Sequence, residues 1–177
     1  MENLQKILAD NWNNFISYFN NLLENEKLLG TSWKEFIIDM PNQERTKILS
    51  PFFIRELVKF YKQDNFVLCE ENRKDLKWMN TPIEKKLTLS EGNSWTGNGF
   101  KKVNWHLLTK LELGNDGFIE KSICCLIPLD ECESKWSSSG EGDNFSNLVI
   151  RNSDYDKLLK IHGDFYKNRV NLTPILL

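Results

Sequence analysis

The chain has 177 residues, of which 40% are hydrophobic and 27% are charged, and its formal net charge is −2 at pH 7. This hydrophobic content is enough to build a buried core, so an intrinsically disordered chain is excluded. The slightly acidic balance also disfavours a nucleic-acid-binding protein, which normally carries a clearly basic face.

The length predicts a single domain over residues 1–177. The first residues show no basic segment followed by an apolar run, and no apolar stretch approaches the roughly 18 residues of a membrane helix. The four cysteines form no Cys-x-x-Cys pair, which is typical of reduced thiols in a cytosolic protein. We therefore expect a cytoplasmic protein that does not contact a membrane.

The first part of the chain, residues 1–63, is predicted to be helical. Apolar residues recur at three- and four-residue steps from Leu4 to Leu23. This spacing gives one broad apolar face and predicts an amphipathic helix over about residues 2–27.

Two further helix starts follow in the same part of the chain. Ser32 and Glu35 have the spacing of a capping box, in which each side chain binds the backbone N–H of the other residue. Ser50 followed by Pro51 predicts another helix, running to about Gln63, because serine caps a helix and proline is tolerated in its first turn.

The remainder, residues 64–177, is predicted to form a mainly antiparallel sheet with one helix. Apolar and polar residues alternate from Val103 to Leu113, a turn with two glycines follows, and an apolar strand is expected from Phe118 to Leu129. Further strands are expected near residues 66–69, 86–90, 145–151 and 170–177, with loops at 91–99 and 130–144. A C-terminal helix is expected to begin at Ser153 and to include Tyr166.

These patterns together predict an α+β fold. A helical layer of about residues 2–63 packs on a mainly antiparallel sheet that carries one C-terminal helix.

The loop of residues 130–144 gathers the acidic residues of the chain. The stretch from Cys124 to Asn144 carries a charge of −4, so the rest of the chain carries about +2. Clustered carboxylates attract a basic protein partner and an aromatic side chain can anchor it, although a solvated loop without a partner gives the same pattern. The predicted partner-binding residues are Asp130, Glu131, Glu133, Trp136, Glu141 and Asp143.

The preferred hypothesis is a non-enzymatic, cofactor-free and metal-free protein-binding module of the bacterial cytosol. One concrete form is an immunity or antitoxin-type inhibitor, which would cover the active site of a basic nuclease toxin. Nucleic acid is not expected as a direct partner.

An alternative hypothesis depends on the triplet Glu133-Ser134-Lys135. The order strand, strand, strand, helix, strand from Val103 onward, together with this triplet, resembles the core of the PD-(D/E)xK nuclease superfamily. The resemblance implies a divergent nuclease in which acids on two strands hold Mg²⁺ and orient a water for phosphodiester attack. It implies the catalytic residues Glu112, Asp116, Glu133 and Lys135.

A thiol site is the last candidate. His106 is predicted on the strand that pairs with the strand of Cys124, so a histidine base near a cysteine is conceivable. Because side chains alternate along a strand, Cys124 and Cys125 must face opposite sides of the sheet. Buried, unreactive thiols are the favoured interpretation.

Overall fold

The computed structural model describes residues 1–25, 27–28, 31–62, 65–68, 76–89, 94–97, 104–138, 146–166, 169–171 and 173–174. In this part of the chain the helices come first and a mixed, mostly antiparallel sheet follows, which confirms the α+β class and the packing of a helical layer on the sheet. No helix among these residues is long and apolar enough to cross a membrane.

The helical layer contains more breaks than the sequence predicts at its start. Its elements are α1 (Glu2–Asp10), α2 (Trp12–Asn25), β1 (Lys27–Leu28), β2 (Thr31–Ser32), α3 (Trp33–Ile38) and α4 (Asn42–Phe60). The single helix expected over residues 2–27 is wrong, because the chain turns at Asn11 and continues as a second helix. This turn allows α1 to lie against the C-terminal part of the sheet while α2 packs against α3 and α4.

The two predicted helix starts have opposite outcomes. The capping box is confirmed, since the Ser32 hydroxyl accepts the N–H of Glu35 at 3.2 Å and the Glu35 carboxylate accepts the N–H of Ser32 at 3.1 Å. The start at Ser50 is wrong, because α4 runs continuously through Pro51. The Ser50 hydroxyl instead accepts a hydrogen bond from the Lys85 ammonium at 2.6 Å. Buried residues on both sides of the proline, Leu49, Phe52, Phe53 and Leu57, offset the backbone hydrogen bond that it cannot donate.

The strands of the second part form two sheets and a separate hairpin. They are β3 (Phe66–Leu68), β4 (Leu76–Trp78), β5 (Thr81–Thr88), β6 (Ser94–Gly97), β7 (Trp105–Leu113), β8 (Ile119–Pro128), β9 (Trp136–Ser138), β10 (Ser146–Val149), β11 (Leu159–His162), β12 (Asp164–Tyr166), β13 (Arg169–Asn171) and β14 (Thr173–Pro174). The large sheet has the order β11-β8-β7-β5-β4-β3, with β14 beside the start of β8. Among the described strands of this sheet, only β5 and β7 pair in parallel.

The small sheet shows that the loops predicted at residues 91–99 and 130–144 contain strands. It has the order β6-β10-β9, and its outer strands β6 and β9 lie within residues 91–99 and 130–144. Strands of three or four residues give too short an alternation to be recognised in the sequence, and here their pairing with β10 stabilises them.

The hairpin β7–β8 lies in the middle of the molecule and is covered on both faces. The helices cover one face, onto which Leu107, Leu111, Cys124 and Leu126 project. The small sheet covers the other face, where Leu108, Ile123, Cys125 and Ile127 pack with Trp95 and Leu148. The protein therefore has three layers and two hydrophobic cores.

Two side-chain hydrogen bonds join helix α2 to strand β8. The Asn20 carboxamide accepts the N–H of Ile119 at 2.9 Å and donates to its carbonyl oxygen at 3.1 Å. The indole N–H of Trp12 donates to the Ser122 hydroxyl at 2.9 Å. All four groups are buried, so these bonds set the position of α2 along β8.

The predicted C-terminal helix is wrong. Residues Asn152–Lys157 form a 3-10 helix, and the chain then continues as β11 along the edge of β8. Gly163 adopts φ +78°, a left-handed conformation that ends the strand and directs the chain into β12. The helical spacing of apolar residues here therefore reflects burial on two different faces, with Leu158 in one core and Ile161 in the other.

We predict that Gly163→Ala destabilises the protein by about 2–4 kcal/mol, because a β-carbon there is strained by the positive φ and crowded. That carbon would lie 2.8 Å from Cγ1 of Ile123 and 3.1 Å from the carbonyl oxygen of Ser122. Urea denaturation measures the loss. In the control, Gly114→Ala, the new carbon would meet only the exposed side chain of Glu120, and we expect a loss under about 1 kcal/mol. Equal losses of unfolding free energy in the two variants would contradict the strain and crowding expected at Gly163.

Candidate partner-binding site

The acidic segment, residues 129–135, begins where β8 ends. Leu129–Glu131 forms a single turn of 3-10 helix. Asn104, just before β7, binds this turn twice: its carbonyl oxygen accepts the N–H of Leu129 at 3.0 Å and its carboxamide oxygen accepts the N–H of Asp130 at 2.9 Å. The first half of the predicted acidic loop is therefore an ordered structure that is bound to the sheet.

Asp154 binds the second half of this segment. Its carboxylate is fully buried and accepts the N–H of Glu133 at 3.0 Å, the N–H of Ser134 at 2.7 Å and the Ser134 hydroxyl at 2.6 Å. The Lys157 ammonium donates to the same carboxylate at 3.2 Å. Burial by itself raises the pKa of the Asp154 carboxyl, but the hydrogen bonds from Ser134, Glu133 and Lys157 outweigh it and lower the pKa to about 2. The carboxylate is thus ionised at every ordinary pH.

The predicted acidic residues differ in how far their charge is already compensated. The side chains of Asp130 and Glu131 are exposed, and neither forms an ion pair within the described part of the chain. Glu133 is also exposed, but its carboxylate accepts the Ser153 hydroxyl at 2.9 Å and lies 3.9 Å from the Arg151 guanidinium. Glu141 and Asp143 lie outside the described residues.

Trp136 faces the large sheet. Its indole N–H donates to Nε2 of His106 at 3.1 Å, and the Lys86 ammonium lies 5.5 Å from the centre of its ring. Lys86 in turn forms an ion pair at 2.7 Å with Glu84, which is almost fully buried. The aromatic side chain predicted as a partner anchor is therefore partly buried and bound within its own chain.

The contacts of His106 assign its tautomer. An indole nitrogen can only donate, so Nε2 of the buried His106 accepts and its proton is on Nδ1. Nδ1 then donates to the carbonyl oxygen of Asn104 at 3.2 Å. Both ring nitrogens are engaged, which leaves neither of them to act as a base toward a thiol.

An open cleft with a volume of about 520 Å³ lies beside the acidic segment, at the end of the large sheet where β7 begins and β8 ends. It is lined by Met1, Glu2, Asn3, Trp78, Trp105, Pro128, Glu131, Asp156, Lys157 and Leu159. Its lining includes three acidic residues, Glu2, Glu131 and Asp156, and two tryptophans, Trp78 and Trp105. Of the four predicted partner-binding residues that the structure describes, Glu131 alone lines the cleft.

Sequence reasoning missed the other residues of the cleft. Glu2, Trp78, Trp105 and Asp156 come from four separate segments, and each looks unremarkable in its own context. The only signal in the sequence was the position of Trp105 near the start of the strand predicted from Val103, whereas no strand was predicted at Trp78. The strand pairing β4–β5–β7 brings them together.

The residues implied by the nuclease resemblance are not brought together. The register pairs Glu112 with Lys121 near the turn and Trp105 with Pro128 at the opposite end, which separates the two ends by about 23 Å at 3.3 Å per residue. Glu112 and Asp116 lie at the turn end, where Glu112 binds Lys121 at 2.6 Å and Asp116 accepts the N–H of Phe118.

Glu133 and Lys135 lie beyond the opposite end of that hairpin. The Lys135 ammonium donates to the carbonyl oxygen of Leu129 at 2.7 Å. Over the whole described part of the chain, no cluster of three or more His, Cys, Asp or Glu side chains is arranged to hold a metal ion.

The described cysteines are confirmed as buried thiols. Cys124 and Cys125 face the two different cores, as strand alternation predicts. Burial raises the pKa of Cys124 to about 12, the pKa of Cys125 well above its ordinary value, and the pKa of Cys132 to about 11. These thiols are therefore protonated at neutral pH and lack the thiolate that a nucleophile needs.

Comparisons with known proteins assign no family. No protein-family model matches the chain, and no curated protein matches it either. Among solved structures, it is similar to XiaF from Streptomyces sp. in complex with FADH2 and glycerol, with 11% sequence identity and a TM-score of 0.25. The alignment covers 97% of this chain and 50% of that chain, and a TM-score this low supports no conclusion about fold or function.

We predict that Asp154→Asn destabilises the protein by about 2–4 kcal/mol, because an amide replaces one buried acceptor oxygen and removes the charge that the bound N–H groups stabilise. Thermal and urea denaturation measure the loss. The matched control is Asp164→Asn, which removes an exposed carboxylate paired with Lys160 at 3.1 Å; we expect under about 1 kcal/mol there. Comparable losses would show that the buried hydrogen bonds are unimportant.

We also predict that the free energy of unfolding varies with pH because of Asp154. An unfolded aspartate has a pKa of about 3.9, and the folded value is about 2. The stabilisation is therefore complete above about pH 4 and is lost as the pH falls through about 2, with a total of about 2 kcal/mol. The difference in unfolding free energy between the natural protein and Asp154→Asn should shrink by this amount between pH 5 and pH 2. If this difference in unfolding free energy were the same at pH 5 and pH 2, the lowered pKa of Asp154 would be refuted.

Proposed function

We propose that this chain is a non-enzymatic protein-binding module whose acidic surface receives a basic segment of another protein. The acidic surface is defined by Glu2, Asp130, Glu131 and Asp156, around the cleft and the start of the acidic segment. The observation that supports the proposal is that these four carboxylates form no ion pair within the described part of the chain, and that Glu2, Glu131 and Asp156 line the cleft together with two tryptophans.

The electrostatics of the surface suit a basic partner. The Lys157 ammonium, which also lines the cleft, is held by the carboxylate of Asp154 and by the carbonyl oxygen of Glu131, at 3.2 and 2.6 Å. It therefore compensates the buried charge of Asp154 and also attracts the neighbouring carboxylate of Asp156. Uncompensated carboxylates on one face accelerate the encounter with a positively charged surface and exclude acidic competitors.

The backbone beneath this surface is held in place before any partner binds. Asn104 binds the turn at Leu129–Glu131, and Asp154 binds residues 133 and 134. A surface that is ordered in the free protein loses little conformational entropy on association, which favours affinity.

An immunity or antitoxin-type inhibitor of a nuclease is one specific form of this proposal. The active site of such a toxin is basic because it binds phosphates, so an acidic module can occupy it. The charge and activity of the captured partner decide whether this form applies.

We predict that the double variant Asp130→Lys/Glu131→Lys weakens partner binding by a factor of about 10 or more through charge repulsion. The tagged protein is first used to capture partners from a lysate of the source organism, and the purified partner is then titrated by calorimetry at low and high salt. The expected partner is basic, and its affinity falls as salt is added.

The matched control is Glu44→Lys/Glu120→Lys, which reverses two exposed acids away from the acidic surface. We expect this double variant to keep the original affinity. The proposal fails if both double variants bind the partner equally well, or if the partner that binds is acidic.

A further inference from the structure

We infer that the cleft receives one arginine side chain of the bound partner segment. This inference rests on the proposed function and specifies how the basic segment is recognised. The volume of about 520 Å³ lies within the range of about 300–1,000 Å³ that is usual for ligand clefts.

The acidic residues that line the cleft favour a cationic ligand. Within the described residues, the carboxylates of Glu2, Glu131 and Asp156 accept no side-chain hydrogen bond and form no ion pair. They come from three elements that all contribute to the lining of the cleft: the first turn of α1, the 3-10 turn after β8 and the 3-10 helix before β11. These carboxylates do not converge closely enough for a metal ion in the described structure, so an extended organic cation suits them better.

The aromatic walls favour arginine over lysine. Trp105 is partly exposed and Trp78 is almost fully buried, and both pack with the hydrophobic core on the helix-covered side of the sheet. A planar guanidinium can stack on an indole face while its N–H groups bind carboxylates in pairs, which an ammonium group does less well.

The indole N–H of Trp105 has a separate role in this arrangement. It donates to no acceptor in the described part of the chain, and it is not among the buried polar atoms that lack a partner. It is thus free to donate to a carbonyl oxygen of the partner's backbone. The cleft therefore offers acceptors for a cationic side chain and a donor for the chain that carries it, which is the chemistry of an arginine within a peptide.

The test uses a blocked hexa-arginine peptide and, as its neutral counterpart, hexa-citrulline, in which each guanidinium becomes an uncharged urea of the same shape. Calorimetry with the full chain at low salt should show binding of hexa-arginine and at least about 10-fold weaker binding of hexa-citrulline.

Variants of the cleft test which residues bind the peptide. We expect the hexa-arginine affinity to fall about 5-fold or more in Glu2→Gln/Asp156→Asn and, separately, in Trp105→Leu. The control Glu44→Gln/Glu120→Gln removes the same charge elsewhere and should leave the affinity unchanged.

The charge-neutralising pair serves as the decisive variant because Glu2 and Asp156 are exposed and contribute to neither core. Equal affinities for the cleft variants and the control overturn the inference. A second copy of the chain in the cleft would appear as concentration-dependent dimerisation that hexa-arginine reverses, which also overturns it.

The two proposals fail in different ways. If Asp130→Lys/Glu131→Lys weakens the natural partner but Glu2→Gln/Asp156→Asn and Trp105→Leu do not, the arginine inference is wrong and the proposed function stands. If none of these variants affects the natural partner, both are wrong.

Discussion

The burial of β7 and β8 on both faces is the constraint on which the rest of the structure depends. Leu107 and Leu126 form a cross-strand pair beneath the helices, whereas Leu108 and Cys125 form the next pair beneath the small sheet. Because side chains alternate along a strand, a slip of one residue would exchange the two sets and displace both layers. The turn at Gly114–Gly117, with Gly117 at φ +82°, holds this register.

Asp154 fixes the position of the segment that follows β8 at the molecular surface. The carboxylate lies outside the sheet and satisfies backbone N–H groups that belong to no strand, which are expensive to bury without an acceptor. These buried hydrogen bonds hold residues 133 and 134, and Asn104 holds the preceding turn that carries Asp130 and Glu131. The shape of the candidate site thus depends on two residues that lie outside the proposed acidic surface.

Distance along the β7–β8 hairpin distinguishes the two functional hypotheses made from the sequence. An acid-x-lysine triplet, Glu133 to Lys135, and two acids near a turn suggested a shared metal site, but the strands place them at opposite ends of the sheet. The acidic-surface hypothesis is compatible with the geometry because charge acts over several ångströms and needs no convergence of side chains. Trp136 is less suited to anchor a partner, however, because its indole N–H is bound to His106, and the tryptophans that line the cleft beside the acids are Trp78 and Trp105.

The sequence by itself determined the elements whose signal is local and periodic. These are the helical first third, the capping box at Ser32, the long β7–β8 hairpin with its glycine turn, and the opposite orientations of Cys124 and Cys125. Each follows from the preferences of neighbouring residues or from the alternation of side chains, so no distant contact was needed to predict it.

Only the tertiary structure decided the rest. Apolar residues from Leu158 to Tyr166 fit a helix in the sequence, but the open edge of β8 and the left-handed Gly163 make them strands. The cleft likewise unites residues from α1, four strand ends and two 3-10 turns. The physical reason is the same in both cases: the deciding interactions join residues far apart in the chain, and they exist only once the sheet has formed.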